Sequence, residues 1–187
     1  MKKGKEELRR ILKSMRNEFS KTKLQEKSIQ IENKLENFEK FLLSKNILFY
    51  FPINNEVNTL NLIKKYIGIK NIYLPKTNKD QLSFHKINNI EELKKGNYSI
   101  YEPPEINDTA DLKCIDLIIV PLLAVDKNGN RLGYGKGYYD KFLKECSGYK
   151  VGLAYDFQII ENVPGESHDQ RLDLIISEKQ IINTNKQ

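Results

Sequence analysis

Only two cysteines, Cys114 and Cys146, and two histidines, His85 and His168, occur in 187 residues. The cysteines share no short metal-ligand spacing and follow no secretory signal, which excludes a disulfide framework and fits a reducing, cytoplasmic setting. His168 precedes Asp169, but no Ser or Cys nucleophile in an elbow motif accompanies it, so neither a zinc site nor a catalytic triad is written here. A loop histidine is expected at 168 and a structural or surface one at 85. Long hydrophobic runs are also missing. The longest, such as Ile47 to Phe51 and Leu117 to Val120, fall far short of the roughly 20 residues that span a bilayer. A soluble chain is the expectation. There is no internal repeat and no low-complexity linker, and the length suits one domain, residues 1–187, with its own core.

What the chain does have is basic charge, +6 overall. That balance favours phosphate-bearing partners, RNA and small nucleotides alike, and does not choose between them. An AT-rich coding bias toward Lys, Asn and Ile weakens the signal further. Position therefore matters more than sum. Leu8, Ile11, Leu12, Met15 and Phe19 recur at helical spacing, and Lys2, Lys5, Arg9, Lys13 and Arg16 fall on the neighbouring arc, bordering the buried face. A cleft would lie along that border, although a solvated Lys/Arg face explains the same pattern.

A second helix is expected over Gln25 to Leu43, followed by a strand at Ile47 to Phe51 and a helix carrying Leu60, Ile63, Tyr66 and Ile67. Short strands at Ile72 to Leu74 and Leu82 to Ile87 follow, then a helical turn at Glu91 to Lys95. Leu112 to Val120 reads as a buried central strand because it lacks polar alternation. Tyr138, Phe142 and Leu143 suggest a helix, Val151 to Ala154 a strand, and Leu172 to Ile176 a final strand, with only the last few residues, rich in Asn and Lys, expected to fray. The alternation predicts an α/β fold, a three-layer α/β/α arrangement with a largely parallel central sheet.

Ligands of such sheets collect beyond the strand carboxyl ends, which points to Asn54 to Thr59, Pro121 to Asp140, Tyr155 to Gln158 and the residues from Ile176 onward. The second segment carries the most chemistry. Gly133, Gly135 and Gly137 let backbone N–H groups converge on phosphate, Lys136 adds a point charge, and a helix follows. A plain glycine turn remains the alternative. The pattern is not a Walker A loop, since no Ser or Thr follows the lysine, nor a Rossmann fingerprint, whose third glycine comes one place later. Asp140 lies one helical turn beyond Lys136, suitably placed for a phosphate-held Mg²⁺, with Asp173 as a second oxygen ligand. Glu56, just past the first strand, can accept hydrogen bonds from a polar heterocycle.

Pro121-Leu122-Leu123-Ala124-Val125-Asp126 followed by Asn130-Arg131-Leu132-Gly133-Tyr134-Gly135-Lys136-Gly137-Tyr138-Tyr139-Asp140 resembles the signature of the 5-formyltetrahydrofolate cyclo-ligase (5,10-methenyltetrahydrofolate synthetase) family. The similarity extends to Lys5, Arg9 and Arg16, to Glu56 to Thr59, to Ile100 to Pro103, and to Gln158 through Pro164, His168, Asp169 and Asp173. Leu122 departs from a glycine common after the proline, and Val125 from a usual phenylalanine; both bear on pocket shape, and neither removes a phosphate ligand. The resemblance implies an enzyme that uses ATP and Mg²⁺ to convert 5-formyltetrahydrofolate to 5,10-methenyltetrahydrofolate. It implies ATP contacts from Lys5, Arg9, Arg131 and the stretch from Leu132 through Gly133, Tyr134, Gly135, Lys136, Gly137 and Tyr138 to Tyr139. Arg131, Lys136 and Tyr139 would be catalytic, Glu56 and Tyr139 would hold the folate, Asp140 and Asp173 the metal, and Arg16 is the least defined of the set. The partner it implies is a small-molecule folate, with no nucleic acid and no membrane, in a chain expected to be a monomer with a dimer still open. An RNA-binding surface built on Tyr138-Tyr139 and another ATP-dependent kinase or ligase are the competing readings.

Overall fold

A computed structural model of the chain describes residues 2–78, 81–96, 100–166 and 169–185; the Lys2 side chain and His168 lie outside the described residues. Two helices open the chain, α1 (Lys2–Glu18) and α2 (Lys21–Glu36), and Ser20 caps the second by accepting the Lys23 N–H at 3.3 Å. The single helix expected over Gln25 to Leu43 is broken. Asn37 ends α2 by donating its amide to the Asn33 carbonyl, and a separate short helix, α3 (Glu39–Leu43), follows.

Next come β1 (Asn46–Leu48), α4 (Leu60–Tyr66) and β2 (Asn71–Asn78), then β3 (Gln81–Ile87) and the small pair β4 (Lys94–Lys95) and β5 (Tyr101–Glu102). The chain continues through β6 (Leu117–Val120), β7 (Ala124–Asp126), β8 (Arg131–Leu132) and α5 (Tyr138–Leu143). It closes with β9 (Tyr149–Leu153), β10 (Ile159–Ile160), β11 (Leu174–Ile176) and β12 (Ile181–Asn183). Seven strands form the main sheet in the order β12-β11-β9-β6-β1-β2-β3. The pairs from β11 to β2 are parallel, and β12 and β3 are antiparallel edges.

Strand alternation decides what covers each face. Ile47, Leu117, Ile119, Leu174 and Ile176 meet Leu24, Ile31, Leu35, Phe41 and Ile63 from α2, α3 and α4. Leu48, Ile118, Val120 and Ile175 point the other way, to Phe142 and Leu143 of α5 and to Val125. The result is the expected three-layer α/β/α fold. On the second side a small sheet, β10-β7-β8, carries α1, with Leu12 packing on Ala124, Leu132 and Val163. Ile11, expected on the buried stripe, faces outward instead. No helix among the described residues is long and apolar enough to cross a membrane.

Three further expectations change. Leu112–Cys114 is a 3₁₀ turn, capped by the Asp111 carboxylate at the Lys113 N–H, and the strand starts only at Leu117. Lys94 and Lys95, read as the end of a helical turn, pair as a strand with Tyr101 and Glu102. The strand expected at Leu172 to Ile176 is not the last, because β12 pairs with β11 beyond it.

The hairpin joining β7 to β8 sets up the loop that follows. Asp126, fully buried, accepts the N–H groups of Asn128 and Asn130 at 3.0 Å, the Asn130 amide at 2.8 Å and the Val163 N–H at 3.1 Å. The turn also needs Gly129, at φ +83°, where an added Cβ would stand 2.5 Å from the Leu172 carbonyl oxygen. Gly129→Ala is therefore expected to cost roughly 3 kcal/mol and about 10 °C in Tm, which a thermal melt checks.

Candidate active site

A cleft of about 660 Å³ opens beyond the carboxyl ends of β1 and β6, a size typical of small-molecule sites. Its floor and rim come from the segment after β8. Arg131 stands at the base, only 7% exposed. Its Nη2 donates to Asp140 Oδ1 at 2.6 Å and its Nη1 to the Pro121 carbonyl at 3.2 Å, while Nε is buried without a partner among the described residues. The same guanidinium lies 5.8 Å from the Tyr139 ring centre. One loop is thus tied to the end of β6 and to the first turn of α5 by a single side chain.

Gly135, at φ +100°, lets α1 approach that loop. A Cβ there would stand 3.2 Å from Arg9 Cζ, and Arg9 Nε donates to the Gly133 carbonyl at 2.9 Å. Lys5, one turn earlier on the same face, pairs with Asp169 at 3.0 Å and Glu166 at 3.2 Å. Burial alone would lower the Lys5 ammonium, but those two carboxylates outweigh it and leave its pKa raised. Lys13 sits over the Tyr134 ring, 5.5 Å from its centre, and the exposed Lys136 is 6.0 Å from the Tyr138 ring centre.

Glu56 reaches the cleft through a tight turn after β1. Asn54 and Asn55 take left-handed φ values of +47° and +60°, which asparagine tolerates better than most residues. Thr59 Oγ1 donates to the Tyr50 carbonyl, and the Tyr50 hydroxyl to the Val57 carbonyl, each at 2.8 Å, fixing the turn. The Glu56 carboxylate accepts the Ile53 N–H at 2.9 Å and the Tyr134 hydroxyl at 2.6 Å. Burial pushes this carboxyl up to about 7, against the lowering effects of the Tyr134 and Ile53 hydrogen bonds and of Arg16. Burial also raises the Tyr134 and Tyr139 hydroxyls, with the Glu56 charge adding to it.

The cleft lining includes Lys5, Arg9, Glu56, Arg131, Leu132, Gly133, Tyr134, Gly135, Lys136, Gly137, Tyr138, Tyr139 and Asp140, so the structure gathers nearly every residue singled out in the sequence. Asp173 is not among them. It precedes β11, at the amino end of the parallel strands, where its carboxylate accepts the Lys150 N–H at 2.8 Å and the Asn185 amide at 3.1 Å. It is absent from the cleft lining and caps the start of β9. Among the described residues no group of three or more His, Cys, Asp or Glu side chains is arranged to hold a metal. A Mg²⁺ brought by phosphates keeps most of its ligands from phosphate and water, and for such an ion Asp140 is a fitting single protein oxygen.

Arg16 also departs from its arc, lying beneath the cleft with 1% exposure. Gln158 supports from behind, donating to the Leu123 carbonyl at 2.9 Å. Leu122 and Val125 are core residues outside the cleft lining, so the two departures from the family signature change the packing behind the pocket and not its wall. Sequence reasoning missed the opposite wall, formed by Phe51, Ile53, Pro75, Thr77, Leu82 and Glu102. Glu102 is buried there, accepts the Thr77 N–H at 3.2 Å and occupies the space that Gly96 leaves. Only its place in the Ile100 to Pro103 segment could have signalled it.

The 5-formyltetrahydrofolate cyclo-ligase family matches residues 1–178. The 5-formyltetrahydrofolate cyclo-ligase of Haemophilus influenzae is 37% identical over 142 residues, covering 71% of this chain and 76% of the relative. That of Mus musculus is 30% identical over 186 residues, covering 91% and 92%. The NMR structure of Aquifex aeolicus 5,10-methenyltetrahydrofolate synthetase has a TM-score of 0.90 at 33% identity, covering 98% of this chain and 94% of that one. The Mycoplasma pneumoniae 5,10-methenyltetrahydrofolate synthetase gives 0.77 at 27% identity, covering 93% of this chain and 98% of that one. Agreement at this level, in sequence and in backbone, means that the chain belongs to the 5-formyltetrahydrofolate cyclo-ligase family.

Proposed function

We propose that this chain converts 5-formyltetrahydrofolate to 5,10-methenyltetrahydrofolate at the expense of ATP, which leaves as ADP and phosphate. The observation that carries this reading is the meeting, in one cleft, of a basic glycine loop with the buried Glu56 carboxylate, whose pKa burial raises. The first suits a triphosphate and the second the polar edge of a reduced pterin.

A formamide oxygen leaves poorly, so the reaction needs it activated. The formyl oxygen attacks the γ-phosphorus, the bond to ADP breaks, and the carbon becomes an imidate-like phosphate. The folate N10 then adds to that carbon and loses its proton, and phosphate departs with the electron pair of its C–O bond. No side-chain nucleophile takes part. Lys5, Arg9, Lys136 and the backbone of Gly133 to Gly137 would hold the phosphates, and Arg131 would neutralise charge as it develops. Asp140 would meet a Mg²⁺ carried in with ATP, and that ion would supply charge neutralisation at the phosphates. Tyr139, packed on Phe84 and Phe142, would fix the reacting end of the folate, and Glu56 would accept hydrogen bonds from the pterin.

Oxygen transfer tests the activation step. With ¹⁸O in the formyl group, the label should appear in inorganic phosphate; label released in water instead would remove the phosphorylated intermediate. Glu56 gives a second check. Its ordinary pKa is raised to about 7, so the accepting, ionised form grows as pH rises through that value. The KM for 5-formyltetrahydrofolate should fall roughly tenfold from about pH 6 to about pH 8, with the KM for ATP little changed.

A further inference from the structure

Arg16 is the least explained charge in the protein. It is 1% exposed, its Nη2 donates to the Tyr134 hydroxyl at 3.0 Å, and its Nε and Nη1 are buried without partners among the described residues. Burying a guanidinium with unmet donors costs stability that an apolar side chain of the same volume would not. A purely structural role therefore explains it badly. The hydrogen-bond directions suggest another. A guanidinium only donates, so the Tyr134 oxygen accepts from Arg16 and its one proton goes to Glu56 Oε1, at 2.6 Å. With the Ile53 N–H on Oε2, both carboxylate oxygens are held as acceptors, and the plane of the group is fixed against the cleft.

We propose that Arg16 and Tyr134 are positioning residues, a two-member relay that orients the Glu56 carboxylate as an acceptor for the substrate heterocycle. The role given to Glu56 rests on the folate reading above; the relay itself rests on the geometry. Neither residue need touch the pterin. The groups facing Glu56 are Arg16 from α1, Tyr134 from the glycine loop, Tyr50 beyond β1, Tyr139 of α5 and Tyr155 beyond β9, whose hydroxyl donates to the Glu56 carbonyl at 3.1 Å. Burial raises all four tyrosines, so among these groups Glu56 alone changes charge near neutrality. Arg16 and the Tyr134 hydrogen bond both pull its pKa down against burial, and removing either should let it climb.

The test is a carbon-detected NMR titration of the Glu56 carboxyl in the wild type, Arg16→Met, Arg16→Lys and Tyr134→Phe. In Arg16→Met and Tyr134→Phe the midpoint should rise to about pH 8 or higher, while Arg16→Lys, keeping a charge, stays nearer the wild type. Under the folate reading the KM for 5-formyltetrahydrofolate at neutral pH should rise roughly five- to tenfold in the same two variants. A structural role alone would lower Tm and leave the midpoint in place. An unmoved midpoint in folded Tyr134→Phe overturns the relay, whether or not Arg16→Met folds. A midpoint that moves in a protein whose wild type makes no methenyl product supports the relay and removes the folate reading instead.

Discussion

Lys136→Ala should lower kcat by about 10²–10³-fold, roughly 3–4 kcal/mol of transition-state stabilisation, while Tm stays within about 1 °C of the wild type. The two halves of this expectation have separate causes. Lys136 is exposed at the rim of the cleft, so its truncation removes little packing. The loop around it is held by other means: Arg131 ties it to Asp140 and Pro121, Arg9 binds the Gly133 carbonyl, and Asp126 fixes the hairpin behind it. A lysine carried by a rigid loop delivers a positioned charge, and charge that develops on a transferring phosphoryl group is where positioning matters most. Steady-state kinetics beside a thermal melt measure both parts. Turnover near that of the wild type in a folded Lys136→Ala protein would remove the lysine from phosphate chemistry.

The two aspartates of the glycine-loop helix and the last parallel strand should separate completely. Asp140→Asn is expected to lower kcat/KM by about 10²-fold and to raise the Mg²⁺ concentration needed for half-maximal rate, because, under the proposed function, it weakens the oxygen that would meet the ion and it loosens Arg131. Asp173→Ala should leave kcat/KM and the Mg²⁺ dependence within about twofold of the wild type, at a stability cost of roughly 1–2 kcal/mol for the lost Lys150 and Asn185 hydrogen bonds. Magnesium titrations of the rate, with denaturant melts, distinguish the two. A large change in Mg²⁺ dependence in Asp173→Ala would show that this residue reaches the cleft after all.

Much of the site was legible because its chemistry is local. Gly133, Gly135 and Gly137 carry their meaning in the absence of a side chain, and Gly135 is the place where Arg9 lies against the backbone. The arc of Lys5, Arg9 and Lys13 follows from helical periodicity alone, and all three line the cleft. Periodicity cannot say how deep an arc lies, so Arg16, left between a cleft border and a solvated face, is instead buried. Asp173 lies apart from the cleft lining for a related reason. Belonging to a strand segment does not tell which end of a parallel sheet a residue occupies, and this one comes before its strand. The missing wall of the cleft, Thr77 and Leu82 among it, stands on an antiparallel hairpin whose position depends on pairing with β1. No motif marks such residues.

The fold divides in the same way. The buried strands Ile47 to Leu48, Leu117 to Val120 and Leu174 to Ile176 were visible as apolar runs. The run at Leu112 to Ile115 misled because its apolar character serves a capped 3₁₀ turn. The strand proper begins only after Asp116, whose carboxylate accepts the N–H groups of Lys45 and Asn46 at 2.8 Å. β7 and β8 went unread because two short strands around Asn128-Gly129 resemble loop, and their pairing is held by the buried Asp126.

The most direct measurement of the central claim is absorbance at the methenyl product band, with purified protein, 5-formyltetrahydrofolate and Mg²⁺, with and without ATP. The account predicts a rise that requires ATP and is matched mole for mole by ADP. No rise from folded protein, or a rise indifferent to ATP, would contradict it.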